Sequence, residues 1–259
     1  MFITLLGHAL AALIGASLGL IGGGGSILAV PVLVYVMGVP TKAAIAMSLM
    51  IVGTVSLVAA IPHWRMGNVR FKTALLFGPA AMVGAYLGAR LAALPLITDT
   101  VQMGLFAMTM LFAAVLMVRR RGRSPEHHEL ETTDHSKRHR WLWIALEGVG
   151  VGVLTGLVGV GGGFAIVPAL VLLGNVPMKQ ATGTSLLIIA MKSVTGFLGY
   201  LGQVSLNWPL MLSFTIAAAL GTVIGVRLVP HIKAQSLQKG FGYFLFVMAG
   251  FILWQNLSP

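Results

Sequence analysis

The chain contains one glycine motif twice, once in each half. The first copy, GLIGGGGS, spans residues 19–26, and the second, GLVGVGGG, spans residues 156–163. Each copy is followed at the same distance by a Val-Pro pair. The offset that relates Gly19 to Gly156 also relates further identical residues: Pro40 and Pro177, Lys42 and Lys179, Ser48 and Ser185, Ser56 and Ser193, Gly84 and Gly221, Gly88 and Gly225, Arg90 and Arg227. A fixed offset over so much of the chain indicates two structural repeats.

Both repeats have the composition of membrane-spanning helices. Only 9% of the residues are charged, against about 25% in a soluble domain, and the mean hydropathy is +0.93. A membrane-spanning helix requires about 20 apolar residues. Long runs with almost no charge occupy residues 2–37, 41–61, 71–97, 100–118, 141–173, 178–201, 208–230 and 240–254. The sequence therefore predicts an all-α polytopic membrane protein whose surroundings are a lipid bilayer.

The apolar run at residues 2–37 is too long for one crossing. As a straight helix it would measure about 54 Å, whereas the hydrocarbon core is about 30 Å thick. Its glycines permit a break or a tight turn in the backbone. Residues 141–173 have the same length problem and the same glycines. Each run is therefore either one kinked crossing or a hairpin that returns to its starting side.

The distribution of Lys and Arg distinguishes these two alternatives. Kinked crossings give parallel repeats, whereas hairpins give inverted repeats. With residues 119–140 in the cytoplasm, the parallel arrangement places ten Lys and Arg inside and six outside, and the inverted arrangement places fourteen inside and two outside. Cytoplasmic loops carry an excess of Lys and Arg, so the count favours inverted repeats. This predicts about ten membrane segments, with one glycine hairpin and three spanning helices in each repeat.

The predicted organisation is transmembrane repeat 1 at residues 1–118, a basic cytoplasmic linker at 119–140, and transmembrane repeat 2 at 141–259. The linker is hydrophilic and lacks apolar periodicity, so we expect it to be mobile. Its histidines do not have metal-ligand spacing, and we predict no metal and no cofactor. The net charge of +11 lies mostly in loops between membrane segments, which indicates membrane orientation rather than nucleic-acid binding.

The paired glycine motifs are the first candidate for a binding site. A half-helix that begins after a backbone break has free N–H groups and the positive end of its dipole, and this combination binds anions. The alternative interpretation is close helix packing through small residues. The candidate substrate-binding residues of the two motifs are Gly22, Gly24, Gly25, Ser26, Gly161, Gly162 and Gly163.

A lysine and several hydroxyl groups extend this candidate site. Lys192 lies about midway along an apolar segment, where an ionisable side chain is costly and is a candidate functional group. Its equivalent in the first repeat is Val55, so the charge is not a symmetric structural device. Snorkelling to the interface is the alternative. The hydroxyls shared by both repeats are Ser48, Ser56, Ser185 and Ser193. Hydroxyls donate hydrogen bonds to an oxyanion, although they also bond to their own helix carbonyls.

Four other residues are candidates for coupling or gating. Glu147 is the one acid well within an apolar segment, and proton relays in transporters use such carboxylates. His63 lies at a segment end, and histidine is the side-chain type whose unperturbed pKa is closest to neutral pH. Arg90 and Arg227 occupy equivalent positions. The alternative for all four is an interfacial anchor. We find neither a nucleophile–base–orienter set nor a phosphate loop, so we predict neither an enzyme nor an ATPase.

Gly-Leu-x-Gly-x-Gly-Gly, followed by Ser26 in the first copy and by Gly163 in the second and then by Val-Pro, resembles the repeated motif of the TauE/SafE family, also called the sulfite exporter family. The resemblance covers essentially the whole chain. It implies a transporter in the bacterial plasma (inner) membrane that moves sulfite, thiosulfate, organosulfonates or related sulfur-containing anions. An anionic substrate agrees with the glycine breaks and with Lys192.

The residues and the resemblance together predict a secondary transporter that exports small sulfur-containing anions by alternating access at the repeat interface. The alternatives are a passive anion channel and a transporter of another small organic anion. A coupling proton or cation is compatible with this function.

Inverted repeats with a cytoplasmic linker place both termini outside the cytoplasm. We expect a C-terminal alkaline phosphatase fusion to be active and a C-terminal fluorescent protein to be dark, because only the former folds outside the cytoplasm. A cytoplasmic C-terminus would contradict the inverted arrangement.

Overall fold

A computed structural model describes residues 2–92, 94, 97–119, 135–158, 163–172, 174, 176–232 and 234–257. Within these residues the regular secondary structure is entirely helical. The predicted all-α class is therefore confirmed for the described part of the chain.

The helices recur at the offset found in the sequence. Helices α3 and α8 begin at equivalent positions of the two repeats, as do α4 and α9. The repeat-one helices are α1 (Phe2–Ile21), the short α2 (Ala29–Pro31), α3 (Thr41–Arg65), α4 (Phe71–Ala92) and α5 (Asp99–Arg119). The repeat-two helices are α6 (His135–Val158), α7 (Gly163–Leu172), α8 (Met178–Tyr200), α9 (Trp208–Leu228) and α10 (Ala234–Leu257).

Matching prolines begin the matching helices α3 and α8. Pro40 has φ −53° and ψ 140°, and Pro177 has φ −55° and ψ 142°. Proline fixes φ and lacks an N–H group, so it ends an extended connection directly before a helix without leaving a donor unpaired. The nearly identical geometry explains why these two prolines match in the sequence.

The first long apolar run is broken at its glycines. Helix α1 ends at Ile21, and the next residues form a 3₁₀ helix at Gly22–Leu28, then α2, then a π-helical turn at Val32–Val36. Gly22 has a φ of +75°, a left-handed conformation that L side chains rarely adopt. In the second run, residues 159–162 lie outside the described residues, and α7 begins at Gly163.

Most of the predicted linker, residues 120–134, lies outside the described residues. Its last six residues, 135–140, form the beginning of α6. The division into domains stays a prediction.

Helices of one repeat pack mainly on helices of the other. Helix α1 packs on α9, α4 packs on α6 and α8, α3 packs on α8, and α5 packs on α10. The α1–α9 and α4–α6 pairs are equivalent by the sequence offset, since α6 corresponds to α1 and α9 to α4. Each repeat therefore packs its first helix on a helix of the other repeat.

Glycines provide the contact surface of the α1–α9 and α4–α6 pairs, each of which joins a helix of one repeat to a helix of the other. A Cβ on Gly221 or Gly225 of α9 would collide with the α1 backbone at Ala12 or Ala16. On α6, Gly152 and Gly156 meet the α4 backbone in the same way. Apolar side chains supply little driving force for helix association in lipid, so close backbone packing at small residues takes that role.

The relative directions of the helices follow from these contacts. Along α1 and α9, residue numbers increase together, so the two helices run parallel. Helices α4 and α6 also run parallel. Helices α3 and α8 run in opposite directions, because Gly53 lies beside Ser193, Gly196 lies beside Leu49, and Gly183 lies beside His63.

Among the described residues, five helical segments are long and apolar enough to cross a membrane: Ile3–Ile21, Thr41–Arg65, Phe71–Ala92, Met178–Tyr200 and Trp208–His231. Shorter apolar helices lie at Gly25–Val36, Thr100–Phe112, Leu146–Val158 and Gly242–Trp254. In an 18-residue stretch of Thr41–Arg65 and of Met178–Tyr200, 72% of the residues are buried within the protein, against 33–44% in the other three long segments. Helices α3 and α8 therefore form the central pair.

The packing role of Gly152 is testable by comparison with Gly150 on the same helix. A Cβ at Gly152 would lie 2.5 Å from the Ala81 carbonyl oxygen, whereas a Cβ at Gly150 would meet no atom within 4 Å. We expect Gly152→Val to destabilise the protein by about 1–3 kcal/mol through overpacking, and Gly150→Val to have little effect. Thermal unfolding in detergent, followed by size-exclusion chromatography, measures both. Equal melting temperatures for the two variants would contradict this packing.

Candidate functional site

The two glycine segments meet between the repeats. Gly23 and Gly163 lie backbone against backbone, and a Cβ on either residue would collide with the other. Gly23 N–H points to Ser185 Oγ of α8 at 3.4 Å. This contact between Gly23 and Gly163, which we call the glycine crossing, therefore joins both glycine segments and the central helix α8. It brings together residues that lie far apart in the sequence.

The first break folds back onto the helix that precedes it. Gly25 packs against the α1 backbone at Leu18, and Ser26 Oγ donates to the Gly23 carbonyl at 2.6 Å. Gly24 lies in the same 3₁₀ helix. This hairpin geometry requires glycine at positions where a side chain would occupy the space of another backbone. The candidates Gly161 and Gly162 lie outside the described residues.

Each central helix has two serines separated by two helical turns. On α8, Ser185, Ile189 and Ser193 follow one another at intervals of four residues. Gly23 also contacts the Ile189 side chain. The equivalent residues on α3 are Ser48, Val52 and Ser56. A spacing of four residues places such side chains on one helix face. Four serines of the sequence prediction therefore lie along the two helices that pack at the centre of the protein.

The four serines divide into two pairs by their hydrogen bonds. Ser48 and Ser185 donate to the carbonyls three residues before them, each at 2.8 Å. This is the back-bonding that the sequence left as an alternative. Ser56 and Ser193 have buried hydroxyl oxygens with no hydrogen-bond partner among the described residues. Buried polar groups are nearly always paired. Two unpaired hydroxyls at equivalent positions are therefore available to a ligand or to water.

Lys192 lies on the same face of α8 and is completely buried. Its Nζ donates to Thr155 Oγ1 of α6 at 2.7 Å, and Thr155 in turn donates to the Gly152 carbonyl at 3.1 Å. No salt bridge to Lys192 occurs in the described part of the chain. The side chain does not snorkel, because it ends inside the helix bundle. A buried amine held by one neutral hydroxyl is a donor for an anion.

The carbonyls at the first glycine of each motif are anchored by matching side chains. His63 Nε2 hydrogen-bonds the Gly19 carbonyl at 2.9 Å, and Tyr200 OH donates to the Gly156 carbonyl at 3.1 Å. The sequence offset relates the two side chains to each other and the two carbonyls to each other. The two anchors fix the ends of α1 and α6 against α3 and α8.

Three residues near the site were missed by the sequence analysis: Thr155, Tyr200 and Gln102, whose amide donates to Tyr200 OH at 3.1 Å. The constant offset between the repeats contained a signal for Tyr200, because it maps onto His63. Thr155 and Gln102 had no such signal, since their roles depend on contacts between helices distant in sequence.

The coupling and gating candidates are not gathered at the crossing. Arg90 is exposed on α4, and its guanidinium lies 5.4 Å from the centre of the Tyr86 ring. Arg227 is exposed at the end of α9, and Glu147 is half-buried on α6. His63 alone of these four contacts a glycine segment among the described residues.

The site is chemically a set of hydrogen-bond donors. The buried polar side chains of the two central helices include serine hydroxyls and the Lys192 amine. The described residues contain no group of His, Asp or Glu side chains able to hold a metal ion. Non-helical backbone at membrane depth is tolerated where it is buried in protein or lines a cavity. The arrangement therefore fits an anion better than a cation.

The helices and this site define a multi-pass α-helical membrane protein with a polar centre between two repeats. The profile of the family described as "Sulfite exporter TauE/SafE" matches residues 8–252. The chain belongs to this family of membrane transporters.

Similar proteins have names that agree with this membership. A "Probable membrane transporter protein" of Xylella fastidiosa (strain Temecula1 / ATCC 700964) is 32% identical, with 94% of this chain and 92% of the relative covered. "Probable membrane transporter protein YdhB" of Bacillus subtilis (strain 168) is 27% identical over 86% of this chain and 91% of the relative. The protein named MJ0441 of Methanocaldococcus jannaschii is 26% identical over 90% of this chain and 89% of the relative. No solved structure matches the chain.

The contact between Lys192 and Thr155 is testable through stability. We expect Thr155→Val to destabilise the protein by about 1 kcal/mol or more, because it leaves the buried amine without its acceptor. Lys192→Met removes the amine at similar volume, and the double variant should regain the lost stability. Thermal unfolding of the natural chain, the two single variants and the double variant gives a double-mutant cycle. Additive effects would contradict a direct interaction.

Proposed function

We propose that this protein is a secondary transporter of small anions that works by alternating access at the interface of its two repeats. The observation that carries the proposal is the contact of the two glycine segments at Gly23 and Gly163. At this point the backbone of one repeat meets that of the other, beside the Ser185 hydroxyl of α8, the helix that also carries Lys192. Broken segments at equivalent positions of two repeats are typical of transporter binding sites.

The helix directions support inverted repeats. Helices α3 and α8 are equivalent in sequence and antiparallel in space. Both arrangements require α4 to be parallel to α6 and α9 to be parallel to α1, so the antiparallel α3–α8 pair is the observation that favours inverted repeats. These directions agree with the count of Lys and Arg. We therefore propose a bacterial inner-membrane protein with about ten membrane segments, a cytoplasmic linker and both termini outside the cytoplasm.

The substrates we propose are sulfite, thiosulfate, organosulfonates and related small sulfur-containing anions. The description of the family as sulfite exporters supports this class, and the donors around the crossing suit an oxyanion. Lys192 supplies the one amine, while Ser56 and Ser193 supply hydroxyls that have no other partner in the described part of the chain. An inside-negative membrane potential favours exit of each negative charge by about 2.3 kcal/mol per 100 mV. Export is therefore the direction that we propose.

The experiment is uptake of radiolabelled sulfite into proteoliposomes, with thiosulfate, sulfoacetate, taurine, sulfate and acetate as competitors. We expect saturable uptake that sulfur-containing anions compete for and acetate does not. Parallel reactions with a pH gradient determine whether protons are coupled. Flux without saturation, accompanied by single-channel currents, would indicate a channel instead. The absence of flux for every anion would reject the proposed substrates.

The Lys192→Ala chain belongs in the same assay. Loss of a hydrogen bond to a charged group costs about 1.5–3 kcal/mol, so we expect the rate to fall about ten-fold or more. Lys239→Ala, which removes an exposed lysine of α10, is the matched control. Equal amounts of reconstituted protein exclude a folding defect. Full activity of Lys192→Ala would remove this residue from the binding site.

A further inference from the structure

One end of the central helix pair is closed by polar contacts between the repeats. Arg70 N–H donates to Thr184 Oγ1 at 2.9 Å, and Arg70 Nε donates to Gln180 Oε1 at 2.6 Å. Beside them, the Asn68 carbonyl packs against Gly183, where any side chain would collide with it. These contacts tie the α3–α4 loop of repeat one to the first two turns of α8 in repeat two. We call these five residues the Arg70 latch.

The opposite end of the same helix pair is open. Because α3 and α8 are antiparallel, the beginning of α3 lies beside the end of α8, near the α8–α9 loop. A cavity of about 560 Å³ occurs there. The latch residues Gln180, Thr184 and Arg70 correspond by the sequence offset to Ala43, Met47 and Asn207, all of which line this cavity.

The residues at the open end do not reproduce the latch. Ala43 and Met47 offer neither the amide nor the hydroxyl acceptor present at Gln180 and Thr184. The Asn207 side chain accepts a hydrogen bond from Leu210 N–H at 3.1 Å, and so it caps its own helix. The two ends are thus equivalent in backbone position and different in chemistry.

The latch is continuous with the candidate binding site. Thr182 Oγ1 donates to the Ile21 carbonyl at 3.4 Å, and Ser185 contacts Gly23. Both residues lie within one helical turn of Gly183 and Thr184. Movement of the first turns of α8 away from Arg70 therefore also moves the groups that hold the first glycine segment.

We infer that Arg70, Gln180 and Thr184 form the gate that closes one entrance of the transport path, while the cavity beside Asn207 is the open entrance. This inference rests on the proposed alternating-access function. In the proposed topology the latch faces the cytoplasm and the cavity faces outward. The protein as described is therefore closed toward the cytoplasm and open to the outside.

The natural chain has no cysteine, so single introduced cysteines report access directly. A Ser185→Cys chain reports access to the glycine crossing, and Ala43→Cys reports access to the cavity. Each is labelled with a membrane-impermeant maleimide in inside-out and right-side-out vesicles. Adding Arg70→Ala with Thr184→Val removes both latch hydrogen bonds. We expect Ser185→Cys labelling from the cytoplasmic face to rise about ten-fold and Ala43→Cys labelling from the outer face to fall.

Lys72→Ala is the matched control, because it removes an exposed cation two positions along the chain from Arg70. The single variant Gln180→Ala alters one partly exposed side chain and preserves the buried contacts, so it tests the gate even where the double variant folds poorly. We expect it to raise cytoplasmic labelling about three-fold. Unchanged labelling in Gln180→Ala, or an equal rise in Lys72→Ala, would overturn the inference.

Labelling requires no substrate, so it separates the gate from the transport function. Latch-dependent labelling together with absent anion flux would reject the proposed substrates and retain the gate. Anion flux together with latch-independent labelling would reject the gate alone.

Discussion

Close backbone contact between helices of opposite repeats is the interaction on which the rest of this structure depends. In α1 against α9, and in α4 against α6, glycines bring carbonyl groups of one helix to the surface of the next. Lipid is as apolar as the helix surfaces, so burial of apolar side chains does little to hold helices together. The glycine contacts therefore determine which helices pair. In both pairs a helix of one repeat packs on a helix of the other, and α3 and α8 lie at the centre of the protein.

A second set of glycines has a different role. Gly22 and Gly23 do not join two straight helices; they interrupt one and turn the chain back within the protein. The resulting backbone groups are surrounded by protein, as the hydrocarbon environment requires. The matching anchors from His63 and Tyr200 hold the carbonyls on the helical side of each interruption. The carbonyl at the first glycine of each motif is thus anchored from an equivalent position, although the anchoring side chains differ.

The chemistry of the two repeats differs at the positions that concern function. Lys192 corresponds to Val55, Arg70 to Asn207, and Tyr200 to His63. Identical residues at equivalent positions mainly preserve the fold, as at Pro40 and Pro177 or at Gly88 and Gly225. The amine of the proposed anion site and the proposed gate both belong to the non-identical set. Duplication thus supplies the scaffold, and divergence of single side chains supplies these polar groups.

The sequence by itself determined the helical class, the two repeats, the place of the first break and the position of Lys192 midway along an apolar segment. These features depend on composition, local backbone freedom and a fixed offset, all of which are readable along the chain. Only the tertiary structure decided that Gly23 meets Gly163, that Thr155 holds Lys192, and that Arg70 reaches Thr184. It also separated Ser56 and Ser193, which have no partner among the described residues, from Ser48 and Ser185, which bond to their own helix. Such contacts depend on how helices far apart in the sequence pack against each other, and no local pattern of residues specifies that packing.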